Sequence, residues 1–205
     1  MGAGASARIR DQLIDGSKLE KIAHASEELF EDDEFDPIMD EQLLGPRFHF
    51  ENPDITDDNL YWLRPKEFGT GTLFRNGEQA LDCTSCIGSL DALNKDLAVV
   101  MQAICAKRPD FINDMIVSYN TVVGCAAIRL HHNGHMELVV VDDRIPCRRK
   151  DPPPPGEPPH QYPYEPLSCR LTTGEAWLPL IEKALAKLHG SYTSTALGDG
   201  AMVPF

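Results

Sequence analysis

An α+β fold, mostly helical with a small antiparallel hairpin sheet, is what three stretches of this 205-residue sequence predict. The first is the apolar series Leu90, Leu93, Leu97, Val100, Met101 and Ile104, whose steps of three and four residues lay one stripe along a helix. The second is a pair of β-branched runs, "TVVGCAAIRL" and "HMELVVVDD", on either side of "HHNG". Asn133-Gly134 there supplies the two residues that a type I′ hairpin turn needs at positive φ. The third is "EAWLPLIEKALAKLHGSY", in which Trp177, Ile181, Ala184, Leu185 and Leu188 form the buried face of a last helix. Pro179 lies early in that helix and Gly190 suits the position just past its end.

In chain order, residues 1–36 read as an N-terminal extension and residues 37–205 as one domain. The extension opens "MGAGAS", which fits the N-myristoylation pattern with Gly2 as the acceptor and a serine at position 6. A single acyl chain holds a membrane with an association constant of only about 10⁴ M⁻¹. No cysteine lies nearby for a second acyl group, and Asp11, Asp15 and Glu20 offset Arg8, Arg10, Lys18 and Lys21. The expectation is a cytoplasmic protein held reversibly at a membrane or a membrane-associated cytoskeleton, helped by a protein partner. Leu19, Ile22, Ala23, Ser26 and Phe30 predict a short amphipathic helix. Seven of the ten positions from Glu27 to Asp36 are acidic, without the glycine-centred spacing of an EF-hand, so the run reads as a solvated loop.

Residues 37–71 are rich in Pro, Asp, Asn and Gly and read as irregular structure with short turns. Within them Trp62 is expected to anchor the segment to the core, and Arg64 to meet a carboxylate. Pro109 is expected to end the first helix. Between the hairpin and the last helix lies a proline-rich insertion at about 148–166, "CRRKDPPPPGEPPHQYPYEP", which favours polyproline II and reads as an exposed loop or as an SH3 or WW ligand.

The net charge of −13 argues against a nucleic-acid partner, because phosphate neutralisation dominates that affinity. There is no apolar run of about 18 residues and no secretory leader pattern, so the six cysteines read as free thiols of a reducing compartment. Cys83 and Cys86 form a CxxC. His131, His132 and His135 are candidates to complete a zinc set with it, but they sit far off at a hairpin turn. A buried thiol is the better reading of Cys86. Cys83 follows an aspartate and precedes a helical pattern, which is how a nucleophilic thiolate is often mounted.

"FEDDEFDP", "YWLRPKEF", "ALDC", "MELVVVDDRIP" and "GEAWLPLIEKALAKLHGSY" resemble, in order, successive landmarks of the calpain protease core. The resemblance runs from about Phe30 to Phe205 and covers the first, cysteine-bearing subdomain of a papain-like cysteine protease. The acylation motif and short length resemble the small calpain-related proteins of some protists. The resemblance implies that Cys83 stands at the nucleophile position of a calcium-dependent endopeptidase. It also implies that the family's His and Asn would lie beyond the last helix, where nothing here matches them. Thr84 stands where the family has Trp. The family's oxyanion-hole Gln falls on Gly77, with Gln79 as the possible substitute. Calcium is a candidate ligand through Glu175, which matches the family's Glu at the start of the Trp177 helix, whereas the upstream Asp falls on Phe74.

Three readings follow. The leading one is a calpain-related, catalytically inactive scaffold or regulatory protein at a membrane, since a thiol without a base is only a few per cent thiolate at neutral pH. The second is a calcium-dependent cysteine endopeptidase completed by a second subdomain in trans. The third is an adaptor that presents its polyproline stretch.

Overall fold

The computed structural model describes residues 29–37, 43–45, 48, 53–74, 86–87 and 95–195. The described elements are, in order, β1 (Leu60–Leu63), α1 (Pro65–Phe68), β2 (Cys86–Ile87), α2 (Lys95–Lys107), α3 (Pro109–Met115), β3 (Ile116–Asn120), β4 (Cys125–His132), β5 (His135–Asp142), β6 (Ile145–Arg149), β7 (Tyr164–Pro166), β8 (Arg170–Leu171) and α4 (Trp177–His189), followed by a 3-10 turn at Thr193–Thr195. The α+β class holds. The expectation of a mostly helical chain does not: three antiparallel sheets, ordered β3-β4-β5, β1-β6-β7 and β2-β8, accompany the helices.

The hairpin forms as its turn chemistry dictates. β4 and β5 pair from Cys125↔Asp142 to His132↔His135, and Asn133 and Gly134 both take positive φ, 51° and 79°. Its apolar runs are nearly continuous because both faces are covered. Ala126, Ile128, Leu130, Val139 and Val141 join the main core with α2 and α4. The alternate residues Cys125, Ala127, Leu138 and Val140 form a second layer, against which Phe30 and Val117 pack. The period of two in side-chain direction thus sorts one run into two cores.

The last helix is the spine of the molecule. Residues 177–186 are all buried, not just one stripe, and Trp177 is only 1 % exposed. Gly190 closes it in the left-handed region at φ 90°. The first helix ends at Lys107, but Pro109 does more than end it. With its φ preset and no N–H to leave unpaired, it stands at the first position of α3.

Residues 37–71 are not wholly irregular. "LYWL" is a strand that pairs with β6 at Leu60↔Arg148 through Leu63↔Ile145, and α1 follows with Pro65 in its first turn. Proline is disfavoured in a central strand, yet Pro146 stands in β6. It forgoes one donor, and its carbonyl accepts from Leu167 N–H at 2.8 Å. Trp62 packs as expected onto a smaller core of Phe35, Leu43, Leu44, Phe48, Ile55 and Tyr192, 6.1 Å from the Tyr192 ring centroid. Leu43 and Leu44 carbonyls accept from Tyr192 and Thr193 N–H, which closes this core over the end of α4.

Candidate functional site

The densest polar chemistry lies where β5 ends against α4. Asp142, wholly buried, is the hub. Its Oδ1 accepts from Lys183 Nζ at 2.6 Å and from Arg144 N–H at 2.8 Å. Its Oδ2 accepts from Arg144 Nη2 at 2.8 Å and Nε at 3.1 Å, and from the Asp32 backbone N–H at 3.0 Å. Lys183, also wholly buried, donates in addition to the Arg144 carbonyl at 2.7 Å and stands 5.9 Å from the Trp62 ring centroid. Arg144 reaches Asp36 at 3.3 Å. One turn further along α4, Lys187 donates to both oxygens of Asp32 at 2.7 and 2.9 Å and to the Val140 carbonyl at 2.9 Å.

Asp143 serves a neighbouring set. It takes the guanidinium of Arg64 and the Tyr119 hydroxyl, the latter at 2.9 Å, and Arg64 also donates to the Phe30 carbonyl at 3.0 Å. Burial raises the Asp142 carboxyl, but the Lys183 charge and the bonds from Arg144 and Lys183 outweigh it and hold its pKa at about 2. Burial wins at Asp32, whose carboxyl is raised despite Lys187. It also lowers Lys183.

This arrangement can fasten but not react. The Asp142 oxygens carry five donors between them, which leaves no lone pair for a substrate or metal. The "VVVDDR" stretch that carries much of the sequence resemblance is therefore a structural clamp. It joins residues 30–36, β5 and α4. Sequence reasoning quoted Asp142, Asp143 and Arg144 but gave them no role, and it missed Lys183 and Lys187. The available signal was two lysines four apart in a helix otherwise apolar on that side, since charges in such a place are almost never buried unless paired.

The candidate residues divide as follows. Gly2, Gln79 and Cys83 lie outside the described residues, as does the Cys86 side chain. Cys125, Cys147 and Cys169 are buried reduced thiols. Burial pushes Cys125 up to about 12 and Cys147 well above the ordinary thiol range, so neither is a nucleophile. Cys105 is disulfide-bonded, which corrects the expectation of six free thiols.

Glu175 is buried two residues before α4 and accepts from Thr173 Oγ1 at 2.7 Å. The neighbouring Gly174 carbonyl takes the Thr70 N–H at 3.0 Å and hydroxyl at 3.2 Å. Phe74, at the position of the second expected carboxylate, is a buried member of the main core. Calcium needs six to eight oxygens. Among the described residues no group of three His, Cys, Asp or Glu side chains stands where it could hold a metal.

The histidines do not approach a catalytic arrangement among the described residues. His132 and His189 stack edge to face at 5.4 Å, and burial with the His132 charge lowers His189. A cleft of about 210 Å³ lies between residues 30–34, β5 and Lys187, with Asp33, Glu34 and Glu137 on its walls. No described helix is long and apolar enough to cross a membrane.

Residues 30–202 match the family model described as calpain family cysteine protease. The chain is 28 % identical over 190 residues to calpain-10 of Mus musculus, covering 85 % of this chain and 24 % of the relative. It is 27 % identical over 174 residues to the calpain-type cysteine protease DEK1 of Zea mays, covering 80 % of this chain and 7 % of that one. A similar match links it to the calpain-type cysteine protease ADL1 of Oryza sativa subsp. japonica, 28 % identical over 184 residues, 84 % of this chain and 7 % of the relative. The chain thus spans at most about a quarter of the length of these relatives. The landmark residues that fasten the fold and the match over residues 30–202 agree: the chain belongs to the calpain family of cysteine proteases.

Proposed function

We propose that this calpain-family domain binds rather than cuts, acting as a scaffold or regulatory module held at a membrane by an acylated Gly2. The observation that carries this reading is the sequence around Cys83. Thr84 replaces the family's tryptophan, and Gly77 stands where the oxyanion-hole glutamine belongs. Where Gln79 does not replace that donor, an acyl-transfer step loses about 10²–10³ in rate from this term alone. The clamp at Asp142 supports the reading from the other side. Its Asp142, Asp143 and Arg144 lie in a stretch that carries the calpain resemblance, whereas the residues flanking Cys83 depart from it.

The second reading, an endopeptidase completed in trans, is favoured by one observation, the Asp82-Cys83 pair that matches the family's nucleophile. Such an enzyme would need an apolar docking face for its second subdomain. Among the described residues the exposed large apolar side chains are Leu29, Val99 and Val122, which come from three separate segments.

Hydrolysis of a quenched calpain peptide by the purified chain, with and without calcium and beside Cys83→Ala, separates the two. The proposal expects no cleavage by either protein. Calcium-dependent cleavage lost in the variant overturns it. For the membrane part, the acylated chain should float with anionic vesicles and Gly2→Ala should not. Equal flotation of both would refute an acyl anchor.

A further inference from the structure

The loop between β6 and β7 shows a three-residue rhythm. Arg149, Asp151, Pro152, Pro154 and Pro155 are exposed, whereas Lys150 and Pro153 are half-buried. Polyproline II has three residues per turn, so residues three apart share an edge. The edge of Lys150 and Pro153 lies down on the domain. The edge of Pro152 and Pro155 faces solvent, as does that of Asp151 and Pro154, and Arg149, the last residue of β6, is exposed just before them.

The segment is held at both ends. Arg149 pairs with Tyr164 across the ladder, and Lys150 N–H donates to the Pro163 carbonyl at 2.9 Å. His160 Nε2 lies 3.0 Å from the Asp151 carbonyl oxygen. Just past Pro155 the chain reverses. Glu157 N–H donates to the Pro154 carbonyl at 3.0 Å and Gly156 takes φ 95°, the geometry of a proline-glycine turn. The extended run therefore covers Arg149 to Pro155 and stops.

From this geometry we infer that Arg149–Pro155 is a docking site for an SH3-type domain. Such domains read polyproline II in a groove lined by aromatic rings, which takes two residue-proline pairs and leaves every third residue turned away. Asp151-Pro152 and Pro154-Pro155 are the two pairs, and Pro153, the residue between them, is the one turned down onto this chain's own surface. An arginine three residues before the first proline of the pattern sets the direction of binding through a carboxylate at the groove's end. Because both ends of the segment are pinned, little ordering cost is left to bind it. The inference is independent of acylation and of whether Cys83 reacts.

The test titrates the full chain, by calorimetry, with a set of purified SH3 domains that read arginine-first PxxP peptides. At least one should bind saturably, one to one. Pro152→Ala/Pro155→Ala should weaken it by roughly tenfold or more, which corresponds to ~1.4 kcal/mol. Arg149→Ala should weaken it several-fold, and Pro158→Ala/Pro159→Ala should leave it unchanged. An unaltered thermal unfolding midpoint in each variant shows that the loss is not misfolding. The inference falls if none of the SH3 domains binds the wild-type chain, or if the Pro158/Pro159 variant loses as much as the Pro152/Pro155 one. It also falls if a WW domain or profilin binds instead with no dependence on Arg149.

Discussion

Two carboxylates in this molecule each sit between two cations, with near-identical distances and different surroundings. Asp142 lies between Arg144 at 2.8 Å and Lys183 at 2.6 Å, with side-chain exposures of 0 % for the acid and 9 % and 0 % for the bases. Glu165 lies between Arg148 at 2.8 Å and Arg170 at 3.0 Å, with exposures of 17 %, 34 % and 24 %. The ion-pair distances alone would rank them equal. Water decides otherwise. At the Glu165 triad, solvent screens the charges and would solvate any partner left alone, so the pairing is worth about 0–1 kcal/mol. At Asp142, a removed partner leaves a charge in low dielectric, and the penalty for breaking the set exceeds what making it gained.

The largest expected effect breaks the buried triad. Lys183→Met should destabilise the fold by up to about 3–5 kcal/mol, because Asp142 keeps Arg144 but it and the Arg144 carbonyl each lose a buried charged donor. In a chain of this size that lowers the thermal midpoint by roughly 2–4 °C per kcal/mol. Asp142→Asn/Lys183→Met should cost much less than the sum of the two single changes, because the double variant removes both buried charges of that pair while Arg144 keeps Asp36. Additive costs in that cycle would sink the account of a coupled hub.

Acid comes next. The Asp142 carboxyl is depressed in the fold, to about 2 against an unfolded value near 3.9. Its stabilisation is therefore fully present above the unfolded value and is lost as pH falls through the folded one. At 1.36 kcal/mol per unit the amount is roughly 2–3 kcal/mol. Asp32 is shifted the opposite way, so its protonation restores stability over the upper part of the same range. Urea midpoints measured from pH 5 to pH 2 should fall for the native chain and fall less steeply for Asp142→Asn. Parallel curves would show that the acid sensitivity lies elsewhere.

Smaller effects belong to the wetter sites. Glu165→Gln should cost at most about 1 kcal/mol, and 1 M salt should shrink that difference. Arg108→Ala should leave the urea midpoint where it was, although Arg108 meets Asp110 at 2.8 Å, because both side chains are well exposed. A measurable loss there would mean that the exposed face of α3 carries more of the fold than its solvation implies.

Much of this molecule was legible in its sequence, and the pattern of misses is physical. The β4–β5 hairpin and α4 were read correctly because their signals are local. Asn133-Gly134 fixes a turn by itself, and an apolar stripe ending at Gly190 fixes a helix by itself. β1, β6, β7 and β8 were missed because each is two to five residues long and exists only through partners far away, as Leu60 does through Arg148. The calpain landmarks were visible as letters, yet their work was not. Asp142 carries no local sign that Lys183, 41 residues on, will meet it. Glu175 could be placed before α4 from sequence, but whether oxygens gather around it depends on Phe74, which the fold turns into the main core.

The separation of the partners around Asp32 has a consequence for how the chain is made. Asp32 meets Lys187 across 155 positions and Asp142 across 110. Synthesis proceeds from the N-terminus at about 5–20 residues per second, so residues 30–36 emerge well before either partner exists. Contacts of such long range also slow folding, because the loop must close before the contact repays it. When α4 leaves the ribosome, two lysines arrive together, and this helix fixes residues 30–36 in place.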